Sequence, residues 1–79
     1  SVSQIDFKSD RRLKKNIKLI SYSNSGLKIY TFEYINKKFG KGIFQGVMSD
    51  EVPEYAVVKH TDGYDRVDYS QLDVEFKRI

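Results

Sequence analysis

A serine and a lysine five positions apart lie within the most basic stretch of this chain. The segment FKSDRRLKKNI, residues 7–17, places five Lys and Arg side chains around Ser9. A serine hydroxyl is a weak nucleophile that needs a base, and an unprotonated lysine can serve as that base. Burial or neighbouring cations, here Arg11, Arg12 and Lys15, lower a lysine pKa towards the range useful at neutral pH. Ser9 and Lys14 are therefore a candidate serine–lysine dyad.

Spacing alone does not bring these two side chains together. Residues five apart lie about 140° apart around a helix and on opposite faces of a strand. They meet only if the chain turns between them or if the lysine comes from a neighbouring subunit. Ser9 and Asp10 resemble a helix N-cap region, which predicts a short helix or turn to about Lys15. This turn would lie between the two candidate residues.

Two other interpretations of the basic stretch remain open at this point. A solvated charged face is the commonest role of such a run. A nucleic-acid site would use the cations for phosphates, with Phe7 and Tyr22 available for base stacking. The stretch matches none of the common nucleic-acid-binding motifs, so we do not expect a nucleic-acid partner.

Metal and cofactor chemistry finds little support in the sequence. The chain has no cysteine and one histidine, His60, so neither a disulfide nor a zinc site is expected. The aspartates within residues 62–68 lack the twelve-residue loop and terminal glutamate of a calcium site. We expect no metal and no cofactor.

Length and composition indicate one small domain that gains from association. A chain of 79 residues buries a limited fraction of its surface, and without disulfides or metal its usual way to enlarge the core is oligomerisation. Six tyrosines and five phenylalanines suit protein interfaces. There is no apolar run of membrane-spanning length and no secretory signal pattern, so we expect no membrane partner.

Charge is divided unevenly along the chain. Residues 1–48 carry ten Lys and Arg against three acidic residues, whereas residues 49–79 carry four against eight. The two halves can attract each other within one chain or between identical chains, or form two solvated faces.

Hydrophobic patterns predict an α+β domain built on antiparallel hairpins with short helices. A hairpin is expected from a strand at 27–35, a tip at 36–42 and a returning strand at 42–49. Within it, Gly46 indicates a bulge or a close backbone approach. Short strands are predicted at 56–60 and 65–69. Further short helices are predicted to begin at Ser49 and Ser70, the last with Leu72, Phe76 and Ile79 at helical spacing.

Four motifs in order resemble one family. They are SDRRLKKNI at 9–17, YTFEYI at 30–35, FQGVMSDEVPEYAV at 44–57 and DGYDRVDYSQL at 62–72. Together they are similar to the C-terminal intramolecular chaperone domain of phage tail spikes and fibres, the endosialidase-type auto-processing peptidase. A related domain occurs in the myelin regulatory factor proteins.

The resemblance implies a homotrimer that registers the upstream fibre or spike of the same chain and then cuts itself off. It implies Ser9 as nucleophile and Lys14 as general base of a single-turnover self-cleaving serine peptidase. The family is described as cut between the serine and the following aspartate, here Ser9 and Asp10. A serine attacking its own carbonyl would close a four-membered ring, whereas attack on the preceding carbonyl closes a five-membered one. The side of the cut therefore stays open, and the expected oxyanion donors are backbone amides at the start of the short helix.

On this interpretation residues 1–8 belong to the end of the upstream fibre or a linker, and residues 9–79 form the auto-processing domain. The protein would be a virion tail-fibre precursor made in the host cytoplasm, with the domain released on cleavage. The family continues into a long C-terminal helix, for which this sequence offers about two turns. The alternatives are a trimerisation or attachment cap that does not cut and, further off, a basic nucleic-acid-binding module. Trimerisation is expected to bury an apolar set: Leu27, Ile29, Ile43, Phe44, Val47 and Leu72.

Overall fold

Two antiparallel sheets form the protein in a computed structural model that describes residues 7–79. The first sheet has three strands in the order β1-β6-β5, and the second has four in the order β2-β3-β4-β7. The strands are β1 (Phe7–Lys8), β2 (Lys14–Tyr22), β3 (Lys28–Tyr34), β4 (Phe44–Gly46), β5 (Val57–Val58), β6 (Arg66–Val67) and β7 (Lys77–Arg78).

The predicted hairpin is present as β3 and β4, which pair antiparallel with Phe32 opposite Phe44. The other side of β3 pairs with β2, a strand made from residues 14–22. A register shift interrupts this pairing between Lys15 and Lys18, where Asn16 adopts a left-handed backbone with φ of 53°. Asparagine tolerates that conformation better than most residues, so its place at the irregularity follows from backbone sterics.

The predicted helices are short 3-10 turns, so the domain is mostly β and the expected α+β class is not clearly met. The turn after Ser9 and Asp10 is only three residues long, and Lys14 and Lys15 already belong to β2. The 3-10 turns of the described chain are Arg11–Leu13, Lys37–Phe39, Ser49–Glu51, Glu54–Ala56 and Tyr69–Gln71.

The C-terminal helix prediction was wrong. After the turn Tyr69–Gln71 the chain becomes extended, and β7 pairs with the free edge of β4. Val74 and Phe76 are buried while Asp73 and Glu75 are exposed, which is the period-two pattern of a strand. The sequence LDVEFK carries both a helical and an alternating pattern, and the unpaired edge of β4 favours the second.

The core lies between the two sheets. Phe7 from the first sheet stacks on Phe76 with ring centroids 4.2 Å apart, and Phe76 in turn stacks on Phe44 of the second. Phe32 and Val47 are fully buried within the single chain. Val47 therefore belongs to the core of one chain and is not among the residues left for a trimer to cover, whereas Ile43 is 49% exposed. No helix within residues 7–79 is long and apolar enough to cross a membrane.

Candidate functional site

Ser9 sits at the junction of the two sheets, directly after β1. Its backbone N–H donates to Asp65 O at 3.1 Å, which extends the pairing of β1 with β6. The backbone N–H of Ser49 donates to Ser9 O at 2.9 Å. These two bonds fix the main chain on both sides of a residue whose accessible surface is 0%. Ser9 is thus held rigidly in the interior, although serine is mostly exposed in proteins.

The turn Arg11–Leu13 connects Ser9 to Lys14. Asp10 caps this turn by accepting from the backbone N–H of Arg12, and the Arg12 guanidinium binds the same carboxylate at 2.7 Å. The hydrogen bond from Arg12 holds the pKa of Asp10 well below its usual range, so the cap stays ionised. The N–H groups of Arg12 and Leu13 are taken by the Asp10 side chain and carbonyl. These two amides are therefore engaged by Asp10 and are not free to act as the expected oxyanion donors.

Lys14 is buried with 5% of its surface accessible, and its ammonium contacts mostly apolar groups. Nζ donates to Val47 O at 2.9 Å, lies 3.7 Å from Met48 Sδ and sits 4.0 Å from the centre of the Phe32 ring. Within residues 7–79 no carboxylate forms an ion pair with it. Burial, and next the positive charge of Arg11, lower the pKa of Lys14 from 10.5 to about 7. Burial and neighbouring cations were both expected to lower this pKa, and burial is the larger cause.

Ser9 and Lys14 are both connected to Val47, Ser9 to its N–H through Tyr69 and Lys14 directly to its carbonyl. Ser9 Oγ lies 3.3 Å from Tyr69 Oη, and that phenol oxygen accepts from the backbone N–H of Val47 at 2.9 Å. Lys14 holds the carbonyl of Val47. Among the described residues, no hydrogen bond joins Ser9 Oγ directly to Lys14 Nζ. The structure therefore brings the predicted pair to one buried segment but connects them through Val47 and Tyr69.

Each carbonyl flanking Ser9 has its own hydrogen-bond donor. The hydroxyl of Tyr34 donates to Lys8 O at 2.7 Å, on the preceding side. Tyr34 is the cross-strand partner of Lys14 in the pairing of β2 with β3, so the two side chains share the inner face of the sheet. Burial raises the pKa of Tyr34, which keeps its hydroxyl protonated and able to donate.

The cations of the basic stretch are mostly engaged within the chain. Lys8 pairs with Asp62 at 2.9 Å and Arg11 pairs with Asp50 at 3.2 Å. Arg12 is bound to Asp10 and Lys14 is buried, as described above. The halves of opposite charge thus meet inside one chain, and little unpaired charge is left in this stretch for a phosphate backbone.

The sequence argument did not assign roles to three groups of this site: the Tyr69 hydroxyl, the Tyr34 hydroxyl and the backbone of Val47. Tyr69 and Val47 lie inside the resembling motifs at 62–72 and 44–57, so their positions were marked without a function. Tyr34 likewise lies inside the motif at 30–35, but its contact with Lys8 depends on how the two sheets pack and is not visible in the local sequence.

Comparisons with known proteins give no family for this chain. No protein-family model matches it, and neither the search of curated proteins nor that of solved structures finds a significant match. The argument for function therefore depends on the motifs and on the geometry of the buried serine and lysine.

Proposed function

We propose that this chain is the C-terminal intramolecular chaperone of a phage tail fibre or spike, which trimerises and then cuts itself at Ser9. The observation that carries the proposal is the burial of Lys14 with its pKa lowered to about 7, on the same segment as the buried Ser9. Perturbed ionisable groups of this kind are characteristic of functional sites.

The proposed chemistry is nucleophilic attack by Ser9 with Lys14 as general base. With a pKa near 7, a large fraction of Lys14 is the neutral amine at the pH of a cytoplasm, so it can accept the serine proton. Direct transfer requires Lys14 Nζ to move within hydrogen-bond distance of Ser9 Oγ. There the lone pair of the neutral amine accepts the hydroxyl proton, while an N–H can still donate to Val47 O. Tyr69 meanwhile keeps the serine oxygen in place.

The proposed biological role follows from the timing of the two activities. Trimerisation brings three upstream fibre segments to high effective concentration, which favours assembly in register of a slow-folding β structure. Cleavage afterwards separates the chaperone from the fibre and makes assembly irreversible. The protein would then be a precursor made in the host cytoplasm, and its partners would be two copies of itself and its own upstream segment.

One observation favours the alternative of a trimerisation cap that does not cut. The hydrogen bonds that Lys14 and Ser9 make do not join them to each other. Such a buried polar network can serve to specify one packing arrangement without any reaction. The two functions are separated by whether the chain cleaves.

The test is intact-mass spectrometry of the chain during incubation at pH 6 to 9. We expect loss of the N-terminal segment at Ser9, with a rate that rises through pH 7 and levels off as Lys14 becomes neutral. Ser9→Ala and Lys14→Met should stay whole, while Lys15→Met, at an exposed neighbouring lysine, should cleave as the parent does. A parent chain that remains whole under all these conditions would leave only the non-cutting cap.

A further inference from the structure

Each of the two carbonyls beside Ser9 accepts a hydrogen bond. Lys8 O receives the Tyr34 hydroxyl at 2.7 Å, whereas Ser9 O receives the Ser49 N–H at 2.9 Å. A donor on a carbonyl oxygen stabilises the negative charge that develops there during attack. The structure thus offers one side-chain donor for a cut before Ser9 and one backbone donor for a cut after it.

Ring geometry distinguishes the two carbonyls. Ser9 Oγ reaches the carbonyl carbon of Lys8 by closing a five-membered ring, a low-strain path fixed by covalent bonds alone. Reaching its own carbonyl carbon would close a four-membered ring. Because Ser9 is fully buried in a single chain, attack on its carbonyl by another chain's serine would require this segment to open. The carbonyl of Lys8 is therefore the accessible target.

We infer that the Tyr34 hydroxyl is the oxyanion donor of the self-cleavage reaction and that the bond broken is Lys8–Ser9. This inference depends on the proposed function. It makes Tyr34 a catalytic residue, since its hydroxyl touches the reacting carbonyl, and it assigns the bond between Ser49 N–H and Ser9 O a positioning role.

The reaction balances with water as its only co-reactant. Lys14 takes the Ser9 hydroxyl proton while Oγ bonds to the Lys8 carbonyl carbon, and the carbonyl electron pair moves to the oxygen held by Tyr34. The C–N bond then breaks as the Ser9 nitrogen receives the proton from Lys14, leaving an ester between Lys8 and Ser9 Oγ. Water adds to that ester and Oγ leaves with a proton. The products are a carboxylate on Lys8 and a free amine on Ser9.

The leaving nitrogen is also positioned by the fold. The Ser9 N–H donates to Asp65 O in the uncut chain, and the amine formed on cleavage can keep this acceptor. The pairing of Lys8 with Arg66 across β1 and β6 holds the other side of the bond. Both atoms of the scissile bond thus remain aligned while the chain is cut.

The experiment measures the cut position and its rate in the 79-residue chain at pH 8. The variants are Tyr34→Phe and, as matched control, Tyr30→Phe. Tyr30 is a buried tyrosine on the same face of β3, but its hydroxyl binds Glu51 instead of a carbonyl next to Ser9. We expect fragments 1–8 and 9–79 from the parent. Tyr34→Phe should slow their formation by about 10²–10³-fold, the usual effect of losing one oxyanion donor, and Tyr30→Phe should cleave about as fast as the parent.

Failure of this inference and failure of the proposed function give different results. Fragments 1–9 and 10–79 would overturn the role of Tyr34 and leave the proposed function intact, as would an unchanged rate in Tyr34→Phe. A parent chain that never cuts would refute the proposed function and this inference with it. If Tyr34→Phe does not fold, 3,5-difluorotyrosine at position 34 replaces it. The parent rate levels off above pH 7, whereas the more acidic fluorinated phenol should lose its proton and the rate should fall at alkaline pH. A pH profile like that of the parent overturns the inference.

Discussion

At the scale of single residues, Lys14 is the group whose surroundings most need a functional explanation. Its ammonium meets a carbonyl, a thioether sulfur and an aromatic ring, and it has no carboxylate partner among residues 7–79. An unpaired buried cation destabilises the folded state relative to an apolar side chain of similar size. Lys14 therefore lowers stability near neutral pH, where it would supply the proton acceptor of the proposed reaction.

Lys14→Met should accordingly stabilise the fold in a pH-dependent way. The pKa of Lys14 is about 7 in the folded chain and 10.5 without the fold, so the unfolded chain binds more protons between these values. The contribution of Lys14 to the free energy of unfolding of the parent chain thus rises with pH above 7 and is constant below it. The variant Lys14→Met should therefore exceed the parent in free energy of unfolding by the largest amount below pH 7. Above pH 7 this difference should shrink by up to about 1.4 kcal/mol per pH unit.

Urea unfolding at pH 6, 7, 8 and 9 measures this difference, with Ser9→Ala in every chain to prevent cleavage. Lys15→Met is the control, since Lys15 is exposed and its replacement should give a difference that does not change with pH. If the difference in free energy of unfolding between Lys14→Met and the parent does not change with pH, the fold does not lower the pKa of Lys14.

At the scale of elements, β4 and the residues after it organise the site. Gly46 ends β4, and a side-chain carbon placed on it would collide with the Tyr69 hydroxyl and press on the Phe32 and Phe76 rings. The absence of that carbon lets Tyr69 approach the backbone and bind the N–H of Val47. The close approach predicted for Gly46 is thus confirmed, and it connects the strand to the serine.

Gly46→Ala should destabilise the fold by about 1–3 kcal/mol, the usual effect of overpacking a core. The comparison is with Tyr69→Phe and with the double variant, each measured by urea unfolding. Because Tyr69→Phe removes the hydroxyl that the new methyl group meets, the double variant should be less destabilised than the sum of the single changes. Strict additivity would mean that the collision with Tyr69 is not the source of the loss.

At the scale of the whole molecule, charged groups pair within one chain, whereas some apolar surface remains exposed. The basic and acidic halves neutralise each other within one chain through pairs such as Lys8–Asp62 and Arg11–Asp50. Apolar surface is left over on the edge strand β2, where Leu19, Ile20 and Tyr22 are about half exposed. An edge strand with unpaired backbone groups and apolar side chains is suited to pairing with another chain. We expect β2 to contribute to the proposed trimer.

A trimer predicts that apparent thermal stability rises with protein concentration, because association stabilises only the folded chain. Ile20→Lys should weaken that dependence and shift the mass measured by light scattering towards the monomer. Tyr55→Lys is the matched control, since Tyr55 is an exposed aromatic residue away from β2. A midpoint that does not change with concentration, together with a monomer mass at high concentration, would contradict the trimer.

Residue types and their pattern were enough to predict the central hairpin and to select the candidate pair. Residues 27–35 and 42–49 are rich in β-branched and aromatic side chains around a glycine-containing tip, and local preference and tertiary structure agree there. Ser9 and Lys14 were identified from residue type and charge. The turn between them was expected from the N-cap pattern of Ser9 and Asp10, and of these two it is Asp10 that caps it.

The conformation of the C-terminal segment and the contacts of the site depend on long-range packing. The LDVEFK segment fits two periodicities, and the open edge of β4 selects the strand because edge pairing satisfies backbone groups that would otherwise face solvent. The burial that lowers the pKa of Lys14 comes from Val47, Met48 and Phe32, which lie far from it in sequence. The contact of Tyr34 with Lys8 likewise depends on the packing of one sheet against the other, a long-range arrangement that no local pattern encodes.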